Sequence, residues 1–556
     1  MKKTTLLLLI VLIICSFVSC NQVQEDTPNT PQNASFVPQN ATSVVLSDDA
    51  ITVNGAPIST DNTADVYAAH DIVYYEAGKD FTYGEGSEAD AHSTEEAAAH
   101  TVVHITKAGT YALQGKLSLG QIAIDLGADA KKDPNAVVTL ILNGVDITCE
   151  VAPAIIFYKV YECGSDDTET ATQTVDTSAA GANVVIADGT VNTVNGSYVA
   201  RIYKPDSVVL NADGTAVEDA DKLHKYDAAF YSKMSMNVGG GEKNNGVLNI
   251  QAQNEGLDSE LHLTINGGII NITSGNDGIN TNEDGVSVTT VNGGCLTIHV
   301  TGETGEGDGI DSNGWLVING GSVNAYACAL SGDAGIDSDM GIYINGGTVL
   351  ATGNMLDRIA GATQNCAIFN FQERQSATSK IVLKGSNGVI LDTELKNDCS
   401  ILIFSSPELK ADKYELSVND VPFATMQGGN MGNPSGMGFN GEQPPQMPEG
   451  EQPPQMPEGE QPPQMPEGEQ PPQGNGNMMQ GGRPNTQIGN TQAQSKLFDI
   501  KDGINTFHSV AKYTANNNAI IWIVIVAVLA AGLVVYSIVV TVKLAKKKKQ
   551  VQTENK

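Results

Sequence analysis

A tetrapeptide ending in Asn-Gly-Gly recurs at nearly constant spacing in the middle of the chain. It occurs at Ile265–Gly268, Val291–Gly294, Ile318–Gly321 and Ile344–Gly347, so that the asparagines are 26, 27 and 26 residues apart. Self-similarity with a period of about 20 to 50 residues is typical of a solenoid, in which each repeat buries its apolar face against its neighbours. This repeat constrains the fold more than any other feature of the sequence.

Apolar and polar residues alternate around each of these turns. Leu261, Leu263 and Ile265 alternate before the first one, and the same alternation predicts that His262 lies on the outer surface. Alternation with a period of two, interrupted by residues that tolerate positive φ, predicts strands and tight corners. Antiparallel hairpins with Asn-Gly turns are one interpretation. The near-constant spacing favours a parallel β-helix with coils of about 26 residues.

Both ends of the chain carry signals for the membrane. Residues 1–20 combine a basic start, a short apolar run and small residues, which predicts a signal peptide. Cys20 resembles the acylated cysteine of bacterial lipoproteins, with ordinary cleavage nearby as the alternative. Residues 519–542 carry no charge and can cross a bilayer core of roughly 30 Å, and the lysines in 543–556 predict a cytoplasmic tail. We therefore expect the protein on the extracellular face of a bacterial plasma membrane.

Composition divides the remaining residues. Residues 21–42 form a polar linker, and 43–425 are long enough for one elongated folded domain. Residues 426–517 form a stalk and linker rich in Pro, Gln and Gly, in which the sequence GEQPPQMPE begins at Gly441 and returns at Gly450 and Gly459. Such a segment cannot bury a core and favours polyproline II, which predicts a spacer. A proline-motif ligand for a partner domain is the alternative.

Charge and cysteine content exclude some functions. The net charge is −33, so nucleic-acid binding is excluded because phosphates would be repelled, and direct capture of a polyanionic glycan needs a bridging cation. Six cysteines lie outside the leader, and an even number in an exported protein permits disulfides. Cys149 and Cys163 are one candidate pair, and buried small apolar thiols are the alternative.

A second series of motifs, rich in oxygen ligands, alternates with the turns. It reads EGLDS at 255–259, DGINT at 277–281, DGIDS at 308–312 and AGIDS at 334–338. Stacked carboxylates repel unless they are solvated or bridged by a cation, and Ca²⁺ takes six to eight such oxygens. The predicted Ca²⁺ ligands are Asp258, Asp277, Asn280, Asp284, Asp308, Asp311, Asp333, Asp337 and Asp339. A solvated acidic edge, in which Asp and Asn serve turn geometry, is the alternative.

These motifs together resemble a known family. The pattern Asp-Gly-Ile-x-Ser, then a strand, then Ile-Asn-Gly-Gly, with the lipoprotein signal, resembles the clostridial cell-surface carbohydrate-binding β-helix family, which is pectate-lyase-like in shape. The segment 227–233 is similar to its D-G-A-x-x-S-K corner, with Ala228 in place of Gly. The resemblance covers roughly residues 43–425. It implies an all-β, right-handed parallel β-helix with Ca²⁺ between coils that binds cellulose or pectic polygalacturonate.

Carbohydrate binding without catalysis is the predicted function. A Ca²⁺-dependent lyase needs a base near the acidic cluster, and residues 246–357 contain no Lys or Arg, so that Arg358 is the nearest candidate. The predicted carbohydrate-binding residues are Trp315, Tyr326 and Tyr343, because aromatic rings can stack on a pyranose. Packing over the coil is the alternative for Trp315. A Ca²⁺-dependent polysaccharide lyase and an adhesin for a non-glycan partner are the alternative functions.

Overall fold

A computed structural model describes residues 37–423 and 496–509 of the chain. These residues form 37 strands, one six-residue α-helix and two short 3₁₀-helices. The strands form one sheet of 21 strands, one of seven, one of five and two of two. The described part of the chain is therefore all-β in class.

The N-terminal part mixes parallel and antiparallel pairs. Its elements are β1 (Thr42–Leu46), β2 (Thr52–Val53), β3 (Ala56–Pro57), β4 (Val66–Ala69), α1 (Thr94–Ala99), β5 (Thr101–Ile105), β6 (Gly109–Leu117) and β7 (Gly120–Asp125). Strand β1 pairs antiparallel with β2 and parallel with β6, whereas β5 pairs antiparallel with β4 and parallel with β7. Helix α1 begins after Ser93, which forms a capping box with Glu96.

The next segment extends the parallel stacks that begin with the N-terminal strands, since β8 pairs with β6 and β9 pairs with β7, and it carries an insertion. Its strands are β8 (Val138–Thr148), β9 (Ile155–Lys159), β10 (Ala182–Ile186), β11 (Val191–Gly196), β12 (Val199–Tyr203), β13 (Val209–Leu210), β14 (Val217–Asp219), β15 (Lys222–Tyr226), β16 (Ala228–Ser232), β17 (Met236–Gly240) and β18 (Val247–Ala252), and its 3₁₀-helices are Ala130–Lys132 and Pro205–Ser207. Strands β12 and β15, and β13 and β14, form antiparallel pairs. This insertion separates β11 from β16.

The Asn-Gly-Gly repeats continue the three stacks in parallel. Their strands are β19 (Glu255–Ser259), β20 (His262–Ile265), β21 (Ile269–Ser274), β22 (Ile279–Thr281), β23 (Val288–Val291), β24 (Cys295–Val300), β25 (Trp315–Ile318), β26 (Ser322–Tyr326), β27 (Gly341–Ile344), β28 (Thr348–Gly353) and β29 (Ile359–Ala362). The first ladder is β10-β17-β20-β23-β25-β27-β29, the second is β11-β18-β21-β24-β26-β28, and the third is β9-β16-β19-β22. Each Asn-Gly-Gly corner connects the first ladder to the second.

Rows of apolar side chains fill the space between the ladders. In the second ladder, Ile250, Ile272, Ile298, Ala325 and Ala351 occupy matching register positions, and all are almost completely buried. Burying one isoleucine side chain stabilises a fold by about 1.5–3 kcal/mol. The rows therefore supply much of the stability of the repeats.

The corners require glycine at their last position. Gly268, Gly294, Gly321 and Gly347 have φ between +78° and +90°. A Cβ on Gly294 would also lie 2.6 Å from the backbone oxygen of Gly268 in the preceding corner. The recurring glycine therefore satisfies both the backbone conformation and the close stacking of corners.

The C-terminal part is mainly antiparallel and has its own core. Its strands are β30 (Cys366–Gln375), β31 (Lys380–Gly385), β32 (Gly388–Glu394), β33 (Cys399–Ser405), β34 (Asp412–Val418), β35 (Val421–Pro422), β36 (Phe498–Ile500) and β37 (Ile504–His508). Strands β35 and β36 both pair with β34, and β37 pairs with β30. Residues 498–508 fall within the segment that the sequence assigned to stalk and linker. Both ends of 424–495 therefore connect to the same sheet.

The predicted fold class, a right-handed parallel β-helix with a C-terminal transmembrane helix, is wrong. The sheets mix parallel and antiparallel pairs, as in β28–β33 and β31–β34. Parallel neighbours need a long connection, which the repeats provide, whereas antiparallel neighbours such as β31 and β32 are joined by a short turn. No helix among the described residues is long and apolar enough to span a membrane. Residues 519–542, the predicted span, lie outside the described residues, as do 1–20 with Cys20, 426–495 and 543–556.

Candidate functional site

The third ladder and its continuation carry the Asp-rich corners. Leu257, Ile279, Ile310 and Ile336 occupy matching positions and are fully buried in the core. Because side chains alternate along a strand, the residue one position later faces away from the core. The residue two positions earlier opens each corner, and the Glu255, Asp277 and Asp308 carboxyl groups at this position interact with their neighbours along the stack. These two positions, with Asp227, hold the polar side chains that we call the acidic face: Asp227, Glu255, Asp258, Asp277, Asn280, Asp308, Asp311 and Asp337.

Three carboxyl groups meet at one end of the acidic face. Asp227, Glu255 and Asp258 each offer an oxygen, and these atoms all lie within 4.8 Å of one another. Glu255 is 6% exposed and Asp258 is 0% exposed. Burial, followed by repulsion from neighbouring carboxylates, raises the pKa of both groups well above the ordinary value. An ion pair of 2.8 Å between Lys225 Nζ and Asp227 Oδ2 compensates one of the three charges.

Two amide side chains adjoin this cluster. Asn282 Nδ2 donates to both carboxylate oxygens of Asp258 at 3.0 and 3.1 Å, and Asn280 Nδ2 donates to Glu255 Oε1 at 3.3 Å. Glu255 Oε2 and Asn280 Oδ1 are buried and have no hydrogen-bond partner. A buried oxygen without a partner costs about 1–3 kcal/mol. These two atoms therefore indicate a place for a ligand with positive charge.

Four further carboxyl groups continue the acidic face. Asp277 Oδ1 accepts from the backbone N–H of Asp308 at 2.6 Å, and Asp308 Oδ1 accepts from the backbone N–H of Ala334 at 2.5 Å. Burial and repulsion by neighbouring carboxylates raise the pKa of Asp308 to about 9, that of Asp337 to about 7 and that of Asp311 to about 6. The charged forms are therefore disfavoured along the whole face unless a cation is bound.

The donor set suits a hard divalent cation. Ca²⁺ binds oxygen at about 2.3–2.6 Å, so two ligands on opposite sides of the ion lie about 4.8 Å apart. The Asp227, Glu255 and Asp258 oxygens satisfy this separation without rearrangement. With Lys225 paired to Asp227, these three carboxylates leave a net charge that a divalent ion would balance. The carboxylates and the unpartnered Asn280 oxygen could hold such an ion.

Comparison with known proteins places the chain in a family. Residues 99–393, more than half of the chain, match the family described as "Carbohydrate-binding domain-containing protein". The chain belongs to this family. No curated protein matches it. A solved structure described as "polysaccharide lyase-like protein from C. thermocellum, Gadolinium derivative" has 17% identity and a TM-score of 0.27, over 54% of this chain and 90% of that one, and at that score it supports no structural argument.

Carbohydrate binding is thus the function that the family's description assigns, and the acidic face lies within the matched residues. Six of the nine predicted metal ligands lie on this face: Asp258, Asp277, Asn280, Asp308, Asp311 and Asp337. The other three, Asp284, Asp333 and Asp339, lie on loops beside it. Asp284 Oδ1 accepts from Asn313 Nδ2 at 2.8 Å, and Asp333 Oδ2 accepts from the Gly307 N–H at 2.6 Å. These two carboxylates therefore support turns.

Two members of the acidic face were missing from the predicted ligand set. Glu255 opens EGLDS at the position where Asp277 opens DGINT, so an alignment of the repeats could have identified it. Asp227 precedes the ladder strand by a different spacing, and the register of β16 and β19 is what brings it to Asp258. Asp357, outside the four motifs, accepts from the backbone N–H of Ser338 at 3.1 Å.

Lys233, which lies outside the segment 246–357 that contains no Lys or Arg, is a further candidate base and interacts with Glu260. It follows β16, two residues after Tyr231, whose hydroxyl donates to Glu260 Oε1. Its ammonium lies 5.7 Å from the centroid of the Tyr226 ring. Burial lowers the pKa of Lys233, with a partial offset from Glu260. Arg358, the candidate from sequence, instead donates from Nη2 to the backbone oxygen of Met340 at 2.8 Å.

The predicted carbohydrate-binding aromatics occupy three different environments. Trp315 is only 9% exposed and packs in a small cluster against Val288 and Val317, beneath residues 171–175. Tyr326 is buried in the C-terminal core. Tyr343 is partly exposed at the edge of the Trp315 cluster. Of the three rings, Tyr343 is the one with a face near solvent.

Two other expectations differ from the structure. His262 is buried rather than at the surface, because the insertion around Gly164 covers it, and its Nδ1 accepts from the backbone N–H of Val288 at 3.1 Å. Cys149 and Cys163 do not form a disulfide, and Cys149 is buried among apolar side chains. The alternative of a buried apolar thiol therefore holds for Cys149.

Proposed function

We propose that this protein is a membrane-anchored extracellular carbohydrate-binding protein of the clostridial cell-surface type, in which Ca²⁺ at the acidic face supports recognition of pectic polygalacturonate. The family match supports carbohydrate binding in general. The resemblance of the repeats and the Asp227 corner supports the narrower assignment. Anchoring is proposed from residues 1–20, in which Cys20 resembles the acylated cysteine of bacterial lipoproteins and would hold the folded part outside the cell.

The observation that carries the Ca²⁺ proposal is the buried cluster of Asp227, Glu255 and Asp258. Within residues 37–423 and 496–509, one ion pair, to Lys225, partly offsets these three carboxylates, which are unstable at neutral pH because their charges are desolvated and close together. The unpartnered oxygens of Glu255 and Asn280 point to the same missing charge. Bound Ca²⁺ would supply it and would hold neighbouring strands of the third ladder together.

A cation at this face also explains how an acidic protein would bind an acidic glycan. With a net charge of −33, the chain repels polygalacturonate unless a cation lies between them. The half-buried Asp311 and Asp337 are accessible enough to share a cation with a uronate carboxylate. Recognition of polygalacturonate would therefore require Ca²⁺.

The test is titration of the full chain with polygalacturonate, in Ca²⁺ and in EDTA. We expect binding in Ca²⁺ that is lost in EDTA and weakened in the double variant Glu255→Gln, Asp258→Asn. The matched control is Asp219→Asn, which removes an exposed carboxylate on the β13–β14 hairpin. Equal binding in EDTA would refute the role of Ca²⁺, and binding of no polysaccharide would refute the proposal.

Lys233 favours one alternative, a Ca²⁺-dependent polysaccharide lyase. Lys233 is half-buried and has a lowered pKa, which favours its neutral amine. A neutral amine can remove the proton from the carbon beside a uronate carboxylate, which is the step that starts β-elimination. The same titration checked for unsaturated product separates the two functions. Product that disappears in Lys233→Met would establish the lyase, whereas binding without product supports recognition alone. An adhesin for a protein partner would not bind polygalacturonate in either Ca²⁺ or EDTA.

A further inference from the structure

One edge of the C-terminal sheet is formed by two short strands that lie far apart in the sequence. Ser417 of β34 pairs with β31 and with β35, and Tyr414 of β34 pairs with β31 and with β36. Because a residue within a sheet has one neighbouring strand on each side, β35 and β36 both lie on the side of β34 that faces away from β31. Both run antiparallel to β34, so they share one edge and one direction. Strands β36 and β37 lie within residues 496–509, which we call the C-terminal segment.

Together, β35 and β36 follow the register of a single strand. The backbone N–H of Phe423, which follows β35, donates to the backbone oxygen of Leu416 at 2.7 Å. Phe498, the first residue of β36, lies opposite Tyr414, which is two positions further along the edge. Two positions correspond to about 7 Å along a strand. Residues 424–497 therefore leave this edge and return to it at almost the same place.

Aromatic rings pack around the point where the chain leaves and returns. The rings of Phe423 and Phe498 each lie 5.6 Å from the ring of Phe369 on β30, measured between centroids. The Phe507 ring of β37 lies 4.4 Å from that of Phe498 and 5.5 Å from that of Phe369. Phe498, Ile500 and Phe507 are each at most 6% exposed. The C-terminal segment therefore supplies three side chains to the C-terminal core.

Backbone pairing attaches the C-terminal segment to two different sheets. Strand β36 pairs with β34 of the five-stranded sheet, and β37 pairs in parallel with β30 of the 21-stranded sheet over five residues. Asn505 closes the turn between them, because its Nδ2 donates to the backbone oxygen of Lys501 at 2.7 Å. The backbone N–H of Gly503 donates to Asn365 Oδ1 at 2.9 Å. The segment thus has its own turn and bridges the two sheets.

The covalent connection to the C-terminal segment is long compared with the distance that it spans. Residues 424–495 are a connection of about 70 residues between ends that lie about 7 Å apart on the edge of β34. A tether of that length raises the effective concentration of the attached segment to about the millimolar range at most. The contacts with β30 and β34 are made by the segment itself. Its recognition therefore rests on the surface that these two strands and the Phe369 ring present.

We infer that residues 496–509 are a separable segment, which this surface holds without the covalent connection. When a protease hydrolyses a peptide bond within 424–495, the two pieces remain one folded complex. The residues that follow 509 then stay attached to the part of the chain that matches the carbohydrate-binding family. The partner that this surface fits is thus a segment of the same chain, and the inference does not rest on the proposed function.

The test uses the full chain with a site for a sequence-specific protease inserted after Gln473. A mild detergent keeps the uncharged segment 519–542 soluble. After complete cleavage and dilution to about 1 µM, we expect both pieces to elute together in gel filtration, at the volume of the uncut chain. This measurement needs no further substitution, so it does not depend on how a variant folds.

Two variants of the same chain locate the contact. The double variant Phe498→Asp, Phe507→Asp should weaken the cut complex at least about 100-fold, because each buried ring contributes about tenfold or more to affinity. Ile504→Asp is the matched control, because it places the same side chain on an exposed position of β37. Circular dichroism of each uncut variant, recorded before cleavage, shows that it is folded.

Two results would overturn the inference. If the C-terminal piece of the cut chain without substitutions elutes alone at about 1 µM, the covalent connection is needed to hold it. If the cut double variant is folded before cleavage and keeps its pieces together as tightly as the unsubstituted chain, the attachment lies outside the Phe369 core. Neither measurement uses a glycan, so the proposed function stands or fails independently of both.

Discussion

In the absence of Ca²⁺, the stability of this protein should fall as the pH rises from 7 to 8.5. Burial and carboxylate repulsion raise the pKa of Asp308 to about 9 and that of Asp337 to about 7, from an ordinary value of 3.8. Between the ordinary and the raised pKa the folded chain holds a proton that the unfolded chain releases. Stability from such a group is present below the unfolded pKa and is lost as the pH rises through the folded pKa.

The size of this effect follows from the number of protons retained. Each one changes the free energy of unfolding by about 1.4 kcal/mol per pH unit. For roughly 400 folded residues, an unfolding entropy of about 2.1 cal/mol/K per residue converts that slope to about 2 °C per pH unit. Asp308 alone should therefore lower Tm by about 2–3 °C between pH 7 and 8.5. Burial lowers the pKa of His262, so this side chain is neutral in the folded state in this window and does not contribute.

The assay is thermal unfolding in EDTA and in excess Ca²⁺ at several pH values. Excess Ca²⁺ should remove or reverse the slope, because bound carboxylates are already deprotonated in the folded state. In EDTA, Asp308→Asn should reduce the slope of Tm against pH by the contribution of one proton, about 2 °C per pH unit. Asp219→Asn, on the exposed hairpin, should leave the slope unchanged. A Tm in EDTA that is constant or rises over this window would refute the argument from desolvation and repulsion.

The core, the corners and the thiols provide further tests. Ile298→Ala should cost about 2–5 kcal/mol in urea unfolding because the side chain is fully buried, and a cost below about 1 kcal/mol would contradict the packing. Gly294→Ala should destabilise the protein by more than about 1 kcal/mol because of its φ of +85° and its contact with the preceding corner, so unchanged stability would contradict the corner geometry. Dithiothreitol should leave Tm unchanged, since Cys149 and Cys163 are thiols, and a lower Tm would reveal a stabilising disulfide.

Local patterns predicted the elements of the repeats well. The alternation around Ile265 and the Asn-Gly-Gly turns indicated strands and corners, and both are present at β20 and β21. The reason is that alternation and positive φ depend on neighbouring residues alone. Such signals say little about which strands pair, because pairing depends on residues far apart in sequence.

Pairing is where the predicted fold failed. Strand β28 pairs in parallel with β26 on one side and antiparallel with β33 on the other, although both pairs are apolar and in register. Strand β36 has only three residues and follows a long Pro-rich segment, so no periodicity marks it. Its partner β34 lies more than 80 residues earlier. No local pattern contains this information.

The aromatic residues show the same limit. Trp315 and Tyr326 lie outside the inner rows, and both were predicted to bind carbohydrate, which requires an accessible ring face. Trp315 is covered by residues 171–175 of the β9–β10 insertion, and Tyr326 by the C-terminal core that contains Phe369. An outward position on a strand is therefore not an exposed position when another part of the chain packs on that face. Only the tertiary structure distinguishes the two.

Each central repeat contributes to two surfaces of opposite chemistry. The segment from Glu255 to Ile270, for example, supplies carboxylates to the acidic face, then an amide at Asn266 to a row of exposed, hydrogen-bonded asparagines, and then a core strand. Carboxylates at the positions of that row would repel one another at the strand spacing, as they do on the acidic face, whereas the amides of Asn266 and Asn292 pair with each other. Each repeat therefore concentrates its carboxylates at one corner and keeps the Asn-Gly-Gly corner neutral, so that the repulsion between stacked charges is confined to one face.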